Sequence, residues 1–180
     1  DQDCTIHRVI IKNLKPGKYE YQAGEEGGWS DTETFDVKKY LVKDGESVTY
    51  KPMRILWTTD QQGWTPDEYR AWKTAVESIA YHEGTNFDWH LNTGDVSQNA
   101  SRSFEWRYYF KHSREFTRNM CHEITCGNND LIDKKYGKAF NYYLTAEDAP
   151  KMNDYVTEVQ TPGTPDMVST YAFDLGYVHF

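Results

Sequence analysis

Three apolar runs in this chain each stop at an acid or an amide, and a helical pattern separates each run from the next. The runs cover residues 53–59, 87–93 and 120–126, and the polar residues that follow them are Asp60, Asp95 and Asn128. Alternating strand and helix patterns are typical of an α/β domain in which helices cover a sheet. The spacing therefore predicts an α/β fold with strands ending at these three side chains.

The first helical pattern follows Thr65, a good N-terminal cap, with Pro66 at the first helical position. It ends at Gly84, and its apolar residues recur on one helical face. A second pattern begins at a cap on Ser101 and runs to about Phe116. The segment 131–165 is polar and rich in tyrosine, and we interpret it as a long surface excursion.

The N-terminal part of the chain has a different pattern. Within residues 1–40, three stretches are typical of short antiparallel strands, and they cover residues 6–13, 18–22 and 32–37. Three strands seldom bury a core of their own, so this part is expected to be the tail of an antiparallel β-sandwich. Residues 41–52 are predicted to be a linker. Residues 53–180 are predicted to form the N-terminal part of an α/β domain that closes with a hairpin over 168–174 and 177–180.

The net charge limits the partners. The chain carries 28 acidic and 20 basic residues, a net charge of −8. A surface of this sign repels phosphate backbones, so a nucleic-acid-binding surface is not expected. No apolar stretch is long enough to span a bilayer. An anionic substrate would need a local positive centre, which a metal ion can supply.

The three strand-end residues are candidates for a metal site. Strand C-terminal ends gather at one edge of an α/β sheet, so Asp60, Asp95 and Asn128 are expected to converge there. Carboxylate and amide oxygens suit hard divalent cations. The alternative is that each is only a turn residue after a strand. Because all three have a glycine within three residues, and they recur at similar spacing, we favour the metal site.

The motifs around these residues resemble a known family. Thr-Asp-Gln-Gln-Gly at 59–63, Thr-Gly-Asp-Val-Ser-Gln-Asn at 93–99 and Cys-Gly-Asn-Asn-Asp at 126–130 resemble the first three motifs of calcineurin-like metallophosphoesterases. Residues 171–180 resemble the strand pair that follows them. Residues 14–21 resemble the end of the fibronectin-III-like domain that precedes the catalytic domain in purple acid phosphatases. Together these resemblances cover nearly the whole chain.

The resemblance implies a reaction and a set of roles. It implies hydrolysis of phosphate mono- or diesters at two divalent or mixed-valence metal ions, from among Fe, Zn, Mn and Mg. Asp60 matches a ligand of one metal, Asp95 the carboxylate that bridges both, and Asn128 an amide ligand of the second. Gln62 stands where the family often has a histidine ligand. A phosphate ester is the expected substrate, and secretion or the cell surface is the expected location.

Several positions depart from the family pattern. Gln98 replaces a tyrosine ligand of purple acid phosphatases, so a purple iron centre is not expected. Asn129 replaces the catalytic histidine, and Asp130 is a candidate to supply the missing acid. The further histidine ligands are expected beyond Phe180, so the 180-residue chain by itself is expected to be a fragment without useful activity.

Two hypotheses follow from this pattern. In the first, the protein is an enzyme, and Gln98, Asn99 and Arg102 contact substrate oxygens. Arginine is well suited to phosphate, although these three residues could equally be a solvated loop and helix cap. In the second, the chain is an interaction module that keeps the phosphoesterase fold and has lost catalysis, as the changes at Gln62 and Asn129 suggest. The three intact strand-end residues favour the enzyme.

Overall fold

The computed structural model describes residues 7, 9, 11–83, 87–131 and 174–180. Before residue 53 the strands are β1 (Gly17–Tyr21), β2 (Gly24–Glu25), β3 (Gly28–Trp29), β4 (Glu33–Val37), β5 (Leu41–Asp44) and β6 (Ser47–Tyr50). After it come β7 (Ile55–Thr58), α1 (Pro66–Glu83), β8 (Trp89–Asn92), α2 (Ser103–Thr117), β9 (Cys121–Ile124), a 3₁₀ turn (Asn129–Leu131), β10 (Asp174–Leu175) and β11 (Val178–His179). The predicted excursion at 131–165 and the predicted strand at 168–174 lie almost entirely outside the described residues.

A parallel sheet organises the second half of the chain. Its strand order is β7-β8-β9, and Ile55 pairs with Trp89, which pairs with Cys121. Helices α1 and α2 connect successive strands, as parallel pairing requires. The structure confirms the predicted α/β fold, and the three strands that lead to the polar side chains are neighbours that end at one edge.

The helices pack on the sheet through an aromatic core. The core consists of two clusters of buried residues, and Trp72 of α1 packs against both. One cluster includes Tyr69, Trp106 and Tyr109, and the other contains Leu56, Val76 and Phe116. Along β7 the side chains alternate, so Leu56 is buried while Trp57 is 70% exposed. The strand therefore presents one face to the helices and the other away from them.

The first helix begins as predicted, and the second does not. Thr65 precedes α1, and its backbone N–H and hydroxyl both donate to the Glu68 carboxylate, at 2.8 and 2.9 Å. The prediction of a cap at Ser101 is wrong, because α2 starts at Ser103 with Arg102 as its N-cap. The Ser101 hydroxyl donates instead to Asn99 Oδ1 at 2.6 Å. That local bond holds Ser101 in the turn before the helix.

The N-terminal strands form small antiparallel pairs. Strand β1 pairs with β4, and Tyr19 stacks on Phe35 across them. A hairpin of β5 and β6 occupies 41–50, most of the segment predicted as a linker. Its turn uses Gly45 at φ +59, a conformation that favours glycine. The predicted strand at 6–13 is not formed at its described residues, 7, 9 and 11–13, where Val9 and Ile11 are exposed.

Polar contacts join the N-terminal strands to the α/β part. The Tyr21 hydroxyl donates to the main-chain oxygen of Arg118 at 2.8 Å, and Arg118 pairs with Glu33 at 2.9 Å. Lys38 forms an ion pair with Asp88, whose carboxylate also accepts the Arg54 N–H. These contacts lie at the start of β8 and the end of α2, away from the edge where the strands end. In the part of the chain that the structure describes, neither helix is long and apolar enough to cross a bilayer.

Two histidines meet inside the α/β core. His90 Nδ1 lies 2.6 Å from His122 Nδ1, with His90 fully buried. The other nitrogen of His122 contacts the Tyr109 hydroxyl at 2.6 Å, and the other nitrogen of His90 contacts Thr58 Oγ1 at 2.7 Å. A distance this short between ring nitrogens requires one proton shared between them. Both rings can then be neutral, as burial demands.

The pKa values of the pair make stability depend on pH. Burial lowers the pKa of His90 from 6.5 to about 4, and burial together with His90 lowers the pKa of His122 well below its ordinary value. Below pH 6.5 the unfolded chain therefore binds protons that the folded chain does not. From His90 alone we expect the free energy of unfolding to fall by about 3 kcal/mol between neutral pH and pH 4. Denaturant unfolding across this pH range measures it.

Carboxylates also titrate in this range, so the comparison is between variants. His90→Gln removes the buried imidazole, and we expect its unfolding free energy to change less between pH 7 and pH 4. His7→Gln, at an exposed position, removes a histidine outside the buried pair and should keep the natural pH dependence. An unchanged slope in His90→Gln would contradict a neutral His90.

Candidate metal centre

Backbone hydrogen bonds continue the sheet beyond the ends of its strands. Thr93 N–H donates to the Thr58 oxygen at 3.0 Å, and Thr125 N–H donates to the Asn92 oxygen at 2.9 Å. Asp60 N–H donates to the Gly94 oxygen at 3.1 Å, just where the chain leaves β7. The loops that follow β7, β8 and β9 are therefore held side by side at the edge that the sequence predicted.

Asp60 and Asp95 share an unusual backbone conformation. Each has φ +54, in the left-handed region that a non-glycine residue rarely adopts. Aspartate tolerates this region better than most residues, because its short side chain can bond locally. The two acids follow neighbouring strands, and the pairing of Thr58 with Asn92 places Asp95 one residue beyond the position opposite Asp60. Strained backbone of this kind concentrates at functional sites.

The Asp95 carboxylate is buried and held by the loop after β9. Asn129 donates to it twice, from its backbone N–H to Oδ1 and from its side-chain Nδ2 to Oδ2, both at 2.8 Å. Asn129 Oδ1 in turn accepts a long hydrogen bond from Gln98 Nε2 at 3.4 Å. The predicted site residues Asp95, Asn129 and Gln98 are thus brought together. Both Asp95 oxygens keep acceptor capacity, since a carboxylate has about four lone-pair sites.

Two glycines allow the loops to approach this closely. A Cβ on Gly94 would lie 2.3 Å from the Gly127 nitrogen, and a Cβ on Gly127 would lie 2.1 Å from Asp95 Oδ1. No side chain fits at either place. The glycines beside Asp95 and Asn128 were part of the sequence motif, and their structural reason is this contact between loops.

The Gln62 amide can be placed in two orientations. Its backbone N–H donates to the Asp95 main-chain oxygen at 3.0 Å, which fixes the residue beside Asp95. In one orientation, Nε2 makes a 3.4 Å bond to Asp95 Oδ2. Rotated by half a turn, it donates to the main-chain oxygens of Asp95 and Asp60 at 2.7 and 3.1 Å. The rotated form makes two shorter bonds, and we prefer it.

The rotated amide has a chemical consequence. Its oxygen then takes the place that Nε2 leaves and faces the Asp95 carboxylate. Two oxygens without a proton between them repel unless a cation lies between them. The rotated Gln62 amide therefore presents a neutral oxygen towards Asp95 and remains a candidate ligand.

Asp60 and Asn128 complete the candidate donor set, and both are exposed. The Thr59 hydroxyl donates to Asp60 Oδ2 at 2.5 Å, and Asn128 immediately precedes the residue that holds Asp95. Across residues 11–83, 87–131 and 174–180, no group of three or more His, Cys, Asp or Glu side chains is placed to hold a metal. The described donor set is two carboxylates and two amides, which suits a hard cation.

Asp130 is fully buried and joins two loops. Its Oδ1 accepts from the Ser97 N–H at 2.9 Å and the Ser97 hydroxyl at 3.0 Å. Its Oδ2 accepts from the Gly127 N–H at 3.0 Å and the Val96 N–H at 3.3 Å. Burial raises the pKa of this carboxyl, and the hydrogen bonds oppose that effect. With both oxygens accepting, Asp130 is placed to position the loops, and the geometry does not favour its predicted role as a general acid.

The predicted substrate residues divide into two kinds. Asn99 Oδ1 accepts from the Ser101 N–H at 3.1 Å and from its hydroxyl, so this side chain closes a local turn. Arg102 instead reaches across to Trp64, with its guanidinium carbon 4.3 Å from the ring centroid. The structure therefore supports a local structural role for Asn99. Arg102 remains a candidate to contact substrate oxygens.

Sequence analysis missed Glu105. This fully buried carboxylate accepts the N–H groups of Gln98 and Asn99, at 2.7 and 2.9 Å, and pairs with Arg102 at 3.4 Å. Burial raises the pKa of the Glu105 carboxyl, and these backbone hydrogen bonds oppose the rise. The sequence does carry a signal for this role. Glu105 lies three residues after the N-cap of α2, a position from which a carboxylate can accept from backbone N–H groups of the preceding turn.

Comparison with protein-family models and with curated proteins found no match.

Replacing Asp130 by Asn tests the structural role of the carboxylate. In either orientation of the new amide, its NH₂ group would face at least one backbone N–H, from Ser97 on one side or from Val96 and Gly127 on the other. We expect Asp130→Asn to lower the free energy of unfolding by about 1–3 kcal/mol, the usual loss for an unsatisfied buried group. Chemical denaturation measures this. Asp31→Asn, at an exposed position, is the matched control and should change stability by less than about 0.5 kcal/mol. Equal stability of Asp130→Asn and the natural chain would contradict this assignment.

Proposed function

We propose that this chain carries part of a metal-dependent phosphoesterase site, acting on phosphate mono- or diesters. The observation that carries the proposal is the pair of acids, Asp60 and Asp95, in matching left-handed turns at the ends of adjacent parallel strands. On this proposal the α/β part is the N-terminal half of a layered metallophosphoesterase sandwich. The strand pairs before residue 53 are then the end of a fibronectin-III-like domain.

The residues present fit the metal ions that the family resemblance implies. Asp60 and Gln62 would hold one ion, Asn128 would hold the other, and Asp95 would lie between them. When bound, such ions polarise a phosphoryl oxygen and generate hydroxide from water at neutral pH. The negative charges of Asp60 and Asp95 favour cation binding at this edge before any substrate arrives.

The chain's own residues would fix the geometry of that site. Asn129 holds both oxygens of Asp95, so the carboxylate cannot rotate away from the edge. Gln98 holds Asn129, and Glu105 holds the backbone of Gln98. This chain of hydrogen bonds runs from helix α2 to the candidate ligand. It is the kind of supporting layer that orients metal ligands in proteins.

One observation favours the second hypothesis, an interaction module that keeps the phosphoesterase fold and has lost catalysis. The backbone N–H and one side-chain N–H of Asn129 donate to Asp95, and its side-chain oxygen accepts from Gln98. An amide in this position cannot protonate a leaving group. The enzyme hypothesis predicts metal binding at Asp60 and Asp95, and turnover once the remaining ligands are supplied, whereas the module hypothesis predicts no bound metal.

Metal binding is the direct test between the two hypotheses. We expect Mn²⁺ or Mg²⁺ to bind weakly to the 180-residue chain, with one ion per chain measured by titration calorimetry. Asp95→Asn should weaken metal binding by about 100-fold or more. Loss of a residue that only supports a metal ligand already weakens binding by about 10–100-fold, and Asp95 is a proposed ligand itself. Asp60→Asn should also weaken it. Asp31→Asn, with the same change in charge at a distant exposed position, should leave the affinity unchanged.

Asn129 gives a test that separates enzyme from module. A positioned general acid contributes about 10²–10⁴ in rate, and this site lacks one at Asn129. We therefore expect the longer natural protein to hydrolyse aryl phosphates, with good leaving groups, far better than alkyl phosphates. Asn129→His should raise kcat/KM for alkyl esters more than for aryl esters. The same leaving-group dependence in both proteins would restrict the role of this motif to metal binding by Asn128.

A further inference from the structure

Trp64 and Arg102 form a contact between the loop after β7 and the loop after β8. Trp64 is 53% exposed, and the Arg102 guanidinium lies over its ring. On its other side Arg102 Nη1 donates to Glu105 Oε1 at 3.4 Å. A flexible arginine is thus held between an aromatic face and a buried carboxylate, which reduces the side-chain entropy that binding would otherwise cost.

Both residues belong to loops that also hold the candidate ligands. Trp64 follows Gln62 by two residues, and its N–H donates to the Glu68 carboxylate at 2.7 Å, which fixes the loop to α1. Arg102 is the N-cap of α2, and its N–H donates to the Asn99 oxygen at 2.9 Å. The contact therefore joins the loop after β7 to the loop after β8, the two loops that present Asp60 and Asp95.

The contact leaves most of the guanidinium donors available. A ring takes the flat face of a guanidinium, whereas hydrogen bonds use the N–H groups in its plane. Among residues 11–83, 87–131 and 174–180, Glu105 is the one side chain that accepts from this guanidinium, through Nη1. The other in-plane N–H groups can pair with two oxygens of one phosphoryl group, a match of shape that lysine lacks.

We infer that Trp64 is a positioning residue for Arg102, and that it holds the guanidinium ready to donate to phosphoryl oxygens of the substrate. This inference rests on the proposed function for its substrate, but its contacts include no candidate metal ligand. It therefore also predicts phosphate binding by the metal-free chain. The chain has a net charge of −8, so an anionic ligand is repelled overall. Arg102 provides a positive charge on the loop that also carries Asp95.

The test is a double-mutant cycle on the affinity for inorganic phosphate. Phosphate is titrated into the isotope-labelled chain, once without metal and once with Mg²⁺. Binding is followed by NMR on the Trp64 indole and Arg102 Nε signals. In variants that lack one of these groups, it is followed on nearby backbone amides. We expect Trp64→Leu to weaken binding about two- to fivefold, the fold-change that corresponds to one partly exposed cation–π contact. Arg102→Ala should weaken it about tenfold or more. The double variant should equal Arg102→Ala, because Trp64 acts through the arginine.

Controls distinguish positioning from general structure. Trp64→Tyr keeps an aromatic face and should stay within about twofold of the natural chain. Trp29→Leu removes an exposed tryptophan from strand β3 and should change nothing. Additive effects of Trp64→Leu and Arg102→Ala, or unchanged phosphate affinity in Trp64→Leu, would overturn the inference. Coupling in the metal-free chain without any Mg²⁺ binding would support it and overturn the proposed function instead.

Discussion

The buried Asp130 carboxylate is the interaction on which the rest of the site depends. It gathers N–H groups from Val96, Ser97 and Gly127, in loops that follow two different strands. Those loops carry every candidate ligand except Asp60 and Gln62. A negative charge in this place costs free energy by desolvation, and four donors offset that cost. The loops can keep these positions only while the carboxylate is ionised and fully bonded.

The acid pair and the histidine pair place opposite demands on the same small domain. Asp60 and Asp95 place two carboxylates at the edge of the sheet, whereas burial keeps His90 and His122 neutral in the core. The chain from Tyr109 through the histidines to Thr58 continues to Asn92, which donates to Thr58 at 3.1 Å and accepts the Gly94 N–H at 2.9 Å. The polar core therefore reaches the residue next to Asp95. Protonating the pair would place charge directly beneath the loop that presents this ligand.

The three parallel strands and the shared edge at which they end could be predicted from the sequence, because they follow from local patterns. Apolar runs before Asp60, Asp95 and Asn128 predict strands, and parallel pairing then fixes the shared edge. The start of α1 was equally local, since Thr65 and Pro66 signal it directly. Contacts between loops could not be predicted this way. Whether Asp130 acts as an acid or a buried anchor depends on donors 33 and 34 residues away, which no local pattern reveals.

The close approach of Gly94 and Gly127 has a consequence for how this edge opens. Since neither loop has room for a Cβ against the other, the two behave as interlocked parts that cannot part by small adjustments. Opening would require the Asp130 bonds and the Asn129 bonds to break together, as one local unfolding event. The rate at which this edge opens would then be set by local unfolding of both loops, rather than by rotation of any single side chain.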